Sequence, residues 1–263
     1  MGVGIGVGLP FKTFKPNIGL KALERNGFVT DNLEAFWHAG NYNGKGTFIK
    51  NEYSPSTWVD LTGNSHNVTL TNFLWTTSSG ADGENTPSDP ARIVFDGVDD
   101  HAIKNISDTE LEITGDITIL AYLKSTSGTG FHTLVCKGED YYDGYIFRTR
   151  NAATYDLDLR QNRNDGFSYS GIPETPVNNY DNFNMIGVKF DGANLTAYQD
   201  TNKGTRDDTP VANAYLDGDK NLFIGRKKSG EYLDGSIVWL ALYKKALSDA
   251  EVLQNYNAGM VWE

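Results

Sequence analysis

The chain has 263 residues, of which 28 are glycine, one is cysteine and 39% are apolar. That length suits one large all-β domain or two modest ones, and it buries a sizeable core without covalent staples. The lone Cys136 excludes a disulfide framework and a zinc site of several thiolates; 34 acidic against 23 basic residues, net charge −11, disfavour a nucleic-acid footprint and an anionic membrane surface. No stretch approaches the roughly 20 apolar residues of a membrane span. The first residues lack the basic flank of a secretory signal, and Gly6 stands where a myristoylation signal wants Ser or Thr. The expectation is a protein made in a cytoplasm, with no membrane insertion.

At the start, Gly2, Gly4, Gly6 and Gly8 alternate with Val3, Ile5, Val7 and Leu9. A period of two puts the branched side chains on one face of an extended strand and bare backbone on the other. Glycine loses entropy in a strand, so such a segment orders only against another surface. Residues 1–32 are therefore expected to be an assembly arm, with Val3, Ile5, Val7, Leu9 and Phe11 as its contact residues; the alternative is a loose terminus. Pro10 and Pro16 keep it non-helical.

From about residue 33 short alternating runs are separated by Gly, Asn, Asp and Ser. Strands are expected at 92–96, 117–124, 132–137, 144–149, 155–160, 221–225 and 235–243, and 76–90 reads as a long polar loop. Ile186, Val188 and Phe190, then Asp191-Gly192-Ala193-Asn194, then Leu195 and Ala197 read as a β-hairpin. Residues 235–243 are apolar on both parities, so that strand is expected to be covered on both faces. One helix is expected to start at Ser248, with Ser248 and Glu251 as a capping box, Leu247 and Val252 as a hydrophobic staple and Gly259 as its stop. Many short strands at this spacing indicate a sandwich or barrel.

Several segments together resemble laminin-G-like jelly-roll domains of the concanavalin A-like lectin/glucanase superfamily. They are Trp58-Val59-Asp60-Leu61-Thr62-Gly63, Phe95-Asp96-Gly97-Val98-Asp99-Asp100, the run 117–124, Val188 to Tyr198, Leu222-Phe223-Ile224-Gly225 and Leu233-Asp234-Gly235 through Tyr256. The resemblance covers roughly residues 33–258. It implies a two-sheet antiparallel jelly-roll sandwich over 33–263, with a short C-terminal helix and the N-terminal arm added. Tyr122 departs from the family's usual Trp, and Tyr198-Gln199-Asp200-Thr201 replaces its usual turn.

That superfamily includes glycoside hydrolases, which need two carboxyls at a set separation. The E-x-D-x-(x)-E strand pattern of its glucanases is missing: Asp156 and Asp158 share a strand face without a completing Glu, and Glu110 and Glu112 sit in a loop. No catalytic residue is therefore assigned. The four histidines (38, 66, 101, 132) never adopt zinc spacing, there is no G-x-S-x-G elbow, and Cys136 reads as a buried thiol. No cofactor is required. Calcium is the one metal candidate, on Asp96, Asp99 and Asp100, because hard cations take carboxylates and turn carbonyls; the competing reading is aspartates that cap turn amides. For glycans, the family-typical ligand, the candidates are Tyr141, Tyr142 and Asp143 in one loop and Asn164, Phe167 and Tyr169 in another, with the alternative that these loops only cover a sheet edge.

The expected function is a non-enzymatic structural and adhesion protein of a virion (a phage tail, collar or head-fibre component). Its partners would be other virion subunits, reached through the arm within an oligomeric assembly, and a host-surface polysaccharide. A secreted bacterial carbohydrate-binding module, hence extracellular, is the alternative, and a glycoside hydrolase a weaker one.

Overall fold

The computed structural model describes residues 19–45, 48, 50, 56–106, 110–125, 131–138, 144–150, 156–161, 182–207 and 220–260. Helix α1 is Leu20–Arg25. The strands that follow are β1 Leu33–His38, β2 Thr57–Trp58, β3 Val68–Thr71, β4 Gly80–Asp82, β5 Arg92–Asp96, β6 His101–Lys104, β7 Ile117–Ser125 and β8 Phe131–Lys137. Then come β9 Tyr145–Arg150, β10 Asp156–Gln161, β11 Asn184–Phe190, β12 Asn194–Gln199, β13 Asn202–Asp207, β14 Leu222–Ile224 and β15 Asp234–Tyr243, before helix α2 Asp249–Met260.

These strands form two antiparallel sheets. The first runs β13-β12-β11-β7-β15-β5-β4, with β1 also paired to β15; the second runs β10-β9-β8-β14-β6-β3-β2. The inner faces make one core in which Trp37, Trp58, Phe95, Phe147, Leu240 and Leu242 are buried. Every expected strand is present within a residue or two, as is the β11–β12 hairpin. Short strands such as β2, β3 and β4, of two to four residues, hold too few side chains to show a period in sequence. Gly80–Asp82 thus pairs with β5 inside what reads as a polar loop.

Strand β15 is the central beam. It pairs with β7 on one side and with β5 and then β1 on the other. The ladder to β7 shifts register between Ile237 and Trp239. This bulge changes which parity faces inward: Ile237, Leu240 and Leu242 join the inter-sheet core, while Val238, Trp239, Ala241 and Tyr243 face outward. Both faces are covered, as the doubly apolar run requires.

The outer cover consists of both helices and the turn between α1 and β1. Leu23, Phe28, Val29, Val252 and Ala258 pack on Trp239 and Tyr243 in a second apolar cluster. Phe28 meets Phe36 and Trp239 edge-on at 4.8 and 5.6 Å between centroids. Burying each such side chain contributes about 1.5–3 kcal/mol. Polar groups lock the layer as well: Val29 N–H donates to Asn255 Oδ1 (2.9 Å), Asn255 Nδ2 donates to Tyr243 Oη (3.0 Å), and Tyr243 O–H donates to the Val29 carbonyl (3.0 Å). Residues 19–32, grouped with the arm on sequence, are therefore seated on the sandwich. Residues 1–18, and with them Val3, Ile5, Val7, Leu9 and Phe11, lie outside the described residues.

Helix α2 starts as its capping box dictates. Ser248 N–H donates to Glu251 Oε2 at 2.7 Å and Glu251 N–H donates to Ser248 Oγ at 3.3 Å. Gly259 is a correction: it lies inside the helix rather than stopping it. A Cβ built on Gly259 would stand 2.5 Å from Trp239 Nε1, so the glycine lets the helix lie directly on the indole. Asp234-Gly235 opens β15, and Gly235 is required because a Cβ would meet the Lys124 carbonyl at 2.5 Å. Replacing Gly259 with Ala should therefore destabilise the protein by about 1–3 kcal/mol, as overpacking does, measured by urea unfolding.

Candidate functional site

The Asp96–Asp100 turn joins β5 to β6 at one end of the sandwich. Asp96 Oδ1 accepts the backbone N–H groups of Val98 (2.8 Å), Asp99 (3.2 Å) and Asp100 (3.3 Å). Burial pushes the Asp96 carboxyl up, but these amides outweigh it and hold the group below the usual carboxylate range. Asp100 Oδ2 accepts the Asp96 N–H at 3.0 Å, closing the turn on itself. Asp100 is fully buried, and its Oδ1 has no hydrogen-bond partner of acceptable geometry. Burial pushes its carboxyl up to about 6; the neighbouring Ser79 hydroxyl opposes this, and the Asp96 charge adds to it.

Oxygens of Asp96, Asp99 and Asp100 lie within 4.8 Å of one another, the one such group of His, Cys, Asp and Glu among the described residues. Asp96 caps amides, whereas Asp100 presents a buried carboxylate oxygen with an unmet need. That orphan oxygen fits a hard cation, although three side chains supply fewer than the 6–8 oxygens calcium takes.

Beside the turn, on the outer face of the first sheet, opens a cleft of about 310 Å³. Its polar lining is Ser78, Asp96, Lys124, Asp234 and Ser236, with Val94 as an apolar patch. Register places Asp234 beside Asp96, and Ser236 between Val94 and Lys124. These groups come from three strands and a loop, so no spacing in the sequence brings them together.

The two glycan-candidate loops leave from the other end. Lys137 of β8 and Gln161 of β10 both pair with Tyr145 of β9. The connections 138–144 and 162–181 therefore emerge side by side, at the end remote from the acidic turn. Tyr141, Tyr142, Asp143, Asn164, Phe167 and Tyr169 themselves lie outside the described residues. Asn221 ties this end together: its Oδ1 accepts the Ile106 N–H (3.1 Å) and its carbonyl accepts the Gly138 N–H (3.1 Å).

Residues 96–253, more than half of the sequence, match the laminin G family model described as the concanavalin A-like lectin/glucanases superfamily. The chain belongs to that superfamily. Its sequence matches no curated protein. Its fold is similar to the binding domain of Paraclostridial Mosquitocidal Protein 1 (TM-score 0.58, 13% identity, 86% of this chain and 52% of that one). It is also similar to the binding domain of Botulinum Neurotoxin DC, solved in complex with SialylT (0.55, 12%, 80% and 52%). A third similar structure is Trypanosoma rangeli sialidase (0.51, 13%, 86% and 32%). The chain spans about half of each toxin domain and about a third of the sialidase; at these identities the likeness is one of fold.

In this lectin/glucanase-superfamily domain the motif residues hold loops in place. Asp60, 1% exposed, accepts the N–H groups of Phe36, Thr62 and His66 and the Thr62 hydroxyl. Gly225 brings the backbone against the Phe95 ring, where a Cβ would stand at 2.5 Å. Of the other sequence candidates, Glu110 pairs with Lys104 at 2.9 Å. Cys136 is buried in β8, as expected. The histidines are dispersed: His38 Nδ1 accepts the Gly40 N–H, His132 Nδ1 accepts the Asp234 N–H, and His66 lies 3.6 Å from Glu34.

Complete burial pushes the His38 imidazole down to about 3. The folded state keeps it neutral, while the unfolded chain takes up a proton below the ordinary value of 6.5. This stability is present above 6.5 and falls by up to about 1.4 kcal/mol per pH unit as pH drops toward 3. Asp100 acts with the opposite sign. Its raised pKa favours the folded state at low pH, and that contribution is lost as pH rises from the carboxylate range through about 6. In Asp100→Asn the His38 slope should stand uncompensated between pH 6 and 5, seen as a steeper loss of urea stability than in the wild type. Equal slopes would contradict the pairing.

Proposed function

We propose that this chain is a non-enzymatic display module that binds a host-surface glycan and is carried on a larger assembly, a bacteriophage virion (tail, collar or head fibre), through its N-terminal residues. The observation that carries the glycan reading is the shared pairing of Lys137 and Gln161 with Tyr145, which sends both aromatic candidate loops out of one end of a rigid sheet. Loops carried by a rigid scaffold suit ligand contact. The fold likeness to a binding domain solved in complex with SialylT supports the same ligand class.

The carboxyls of the acidic turn support the non-enzymatic part. A glycosidase general acid needs a raised pKa and access to substrate. Asp96 is held below the usual range by three amides, and Asp100, which is raised, is fully buried. The N-terminal arm (Val3, Ile5, Val7, Leu9, Phe11) supplies attachment, as its glycine-spaced apolar face suits strand addition.

A glycan array probed with the full chain should show binding. Tyr141→Ala with Tyr142→Ala, or Phe167→Ala with Tyr169→Ala, should weaken the best hit by roughly tenfold or more, since stacked aromatics anchor such contacts. An array without signal would end the glycan reading. Deletion of residues 1–18 should leave a folded domain that no longer incorporates into its assembly.

Calcium at Asp96, Asp99 and Asp100 is part of the proposal as a structural ion, not a requirement for folding. Adding calcium at ten times its Kd should stabilise the fold by about 1.4 kcal/mol in thermal melts. Asp99→Asn should remove that gain, and an unchanged melt in the wild type would discard the ion.

A further inference from the structure

Leu222 and Ile224 of β14 point into the inter-sheet core, so Phe223 between them faces outward from the second sheet, grouped with Cys136, Ile146 and Ile103. The loop that follows brings Arg226 back over that ring. Its guanidinium lies 4.9 Å from the centre of Phe223 and 5.4 Å from that of Tyr232. His101, the first residue of β6, stands 6.4 Å from both rings.

The guanidinium is held in place. Nε donates to the Lys227 carbonyl (3.0 Å), Nη1 to Tyr232 Oη (3.2 Å) and Nη2 to the Lys228 carbonyl (2.7 Å). The loop beneath it is closed by Leu233 N–H, which donates to the Gly225 carbonyl (2.8 Å), and by Lys227 N–H, which donates to the Gly230 carbonyl (3.0 Å). A guanidinium carries five N–H groups, so two remain for a ligand. Its charge is unmatched as well. Arg92, Lys104, Arg148 and Lys227 each meet a carboxylate at 2.5–2.9 Å. Arg226 forms no ion pair among the described residues, in a chain with 34 acidic residues, and its three partners are neutral oxygens.

Acceptors stand next to this cation. His101 Nδ1 lies 2.8 Å from the Asp99 carbonyl, so that nitrogen carries the hydrogen and Nε2 is an acceptor. The Asp99 side chain is exposed. A pre-positioned donor fork beside acceptors suits a molecule that carries one anionic group among hydroxyls, which describes a sugar with a carboxylate or a sulfate ester. A polyanion fits less well, because Asp99 and the net charge of −11 repel it.

We infer that Arg226, Tyr232 and His101 form a site for an acidic sugar unit, with its carboxylate or sulfate on the Arg226 guanidinium and a hydroxyl on His101 Nε2. This rests on the ligand class proposed above but not on the two aromatic loops, and it places a second site at the opposite end of the sandwich.

Calorimetric titration of the full chain with sialyllactose, sulfated lactose and lactose, which share one neutral core, tests it. Either acidic sugar should bind roughly tenfold or more tightly than lactose, as a charge-assisted fork contributes. Arg226→Gln keeps amide N–H groups without the charge and should bring both acidic sugars down to the lactose level. Arg226→Lys should keep an intermediate affinity, a graded rescue that a folding defect does not produce. Tyr141→Ala with Tyr142→Ala should leave the acidic preference in place. A preference lost in the tyrosine variant but kept in Arg226→Gln overturns this site and leaves the loop reading standing. Lactose binding as tightly as the acidic sugars overturns it too. So does inorganic sulfate that displaces the sugars at equal concentration, or a heparin chain that binds more tightly than either. Failure of both acidic sugars to bind overturns the site alone if a glycan array still gives a neutral hit, and both readings if it does not.

Discussion

The structure depends on burying β15 on both faces. A ten-residue strand with apolar residues at both parities is stable only between two dry layers, and here one layer is the second sheet and the other is helical. The bulge at Ile237/Trp239 lets one strand serve both, placing leucines inward and the large aromatics outward. The C-terminal helix and residues 19–32 follow from that demand, because without them Trp239 and Tyr243 would face water. The hydrogen bonds joining Val29, Asn255 and Tyr243 satisfy the polar atoms that this burial would otherwise strand.

The segments that mark the family serve structure in the same way. Asp60 gathers donors from β1 and from its own turn, Asp96 gathers three amides, and Gly225 and Gly235 permit backbone to touch a ring or a neighbouring carbonyl. Each answers a local constraint: an unpaired buried amide, or a contact too close for a Cβ. This is why the motifs announce the fold and are silent on the ligand. Asp100 closes the same turn through the Asp96 amide and lies buried beside the Ser79 hydroxyl.

The two ends of the sandwich differ in chemistry. One gathers carboxylates, a cleft and two exposed aliphatic side chains; the other sends out two aromatic-rich connections from adjoining strands. The rigid ladder of β15 and β7 fixes the distance between them.

Local patterns determined much on their own. Alternation located the long strands, Asp191-Gly192 located a hairpin, and Ser248 with Glu251 located a helix start, because each depends on residues only a few positions apart. The acidic turn was legible for the same reason, its three carboxylates lying within five residues. Only the tertiary structure decided the rest. Short strands such as β2, β3 and β4 have no period to read, and Gly259 looks like a helix stop until Trp239 is found beneath it. The cleft draws Ser78, Asp96, Lys124 and Asp234 from across the chain, and the shared exit of the two aromatic loops exists only in the register of β8, β9 and β10. Short-range hydrogen bonding is written in neighbouring residues, whereas sheet register and close packing arise from contacts between residues far apart in the chain.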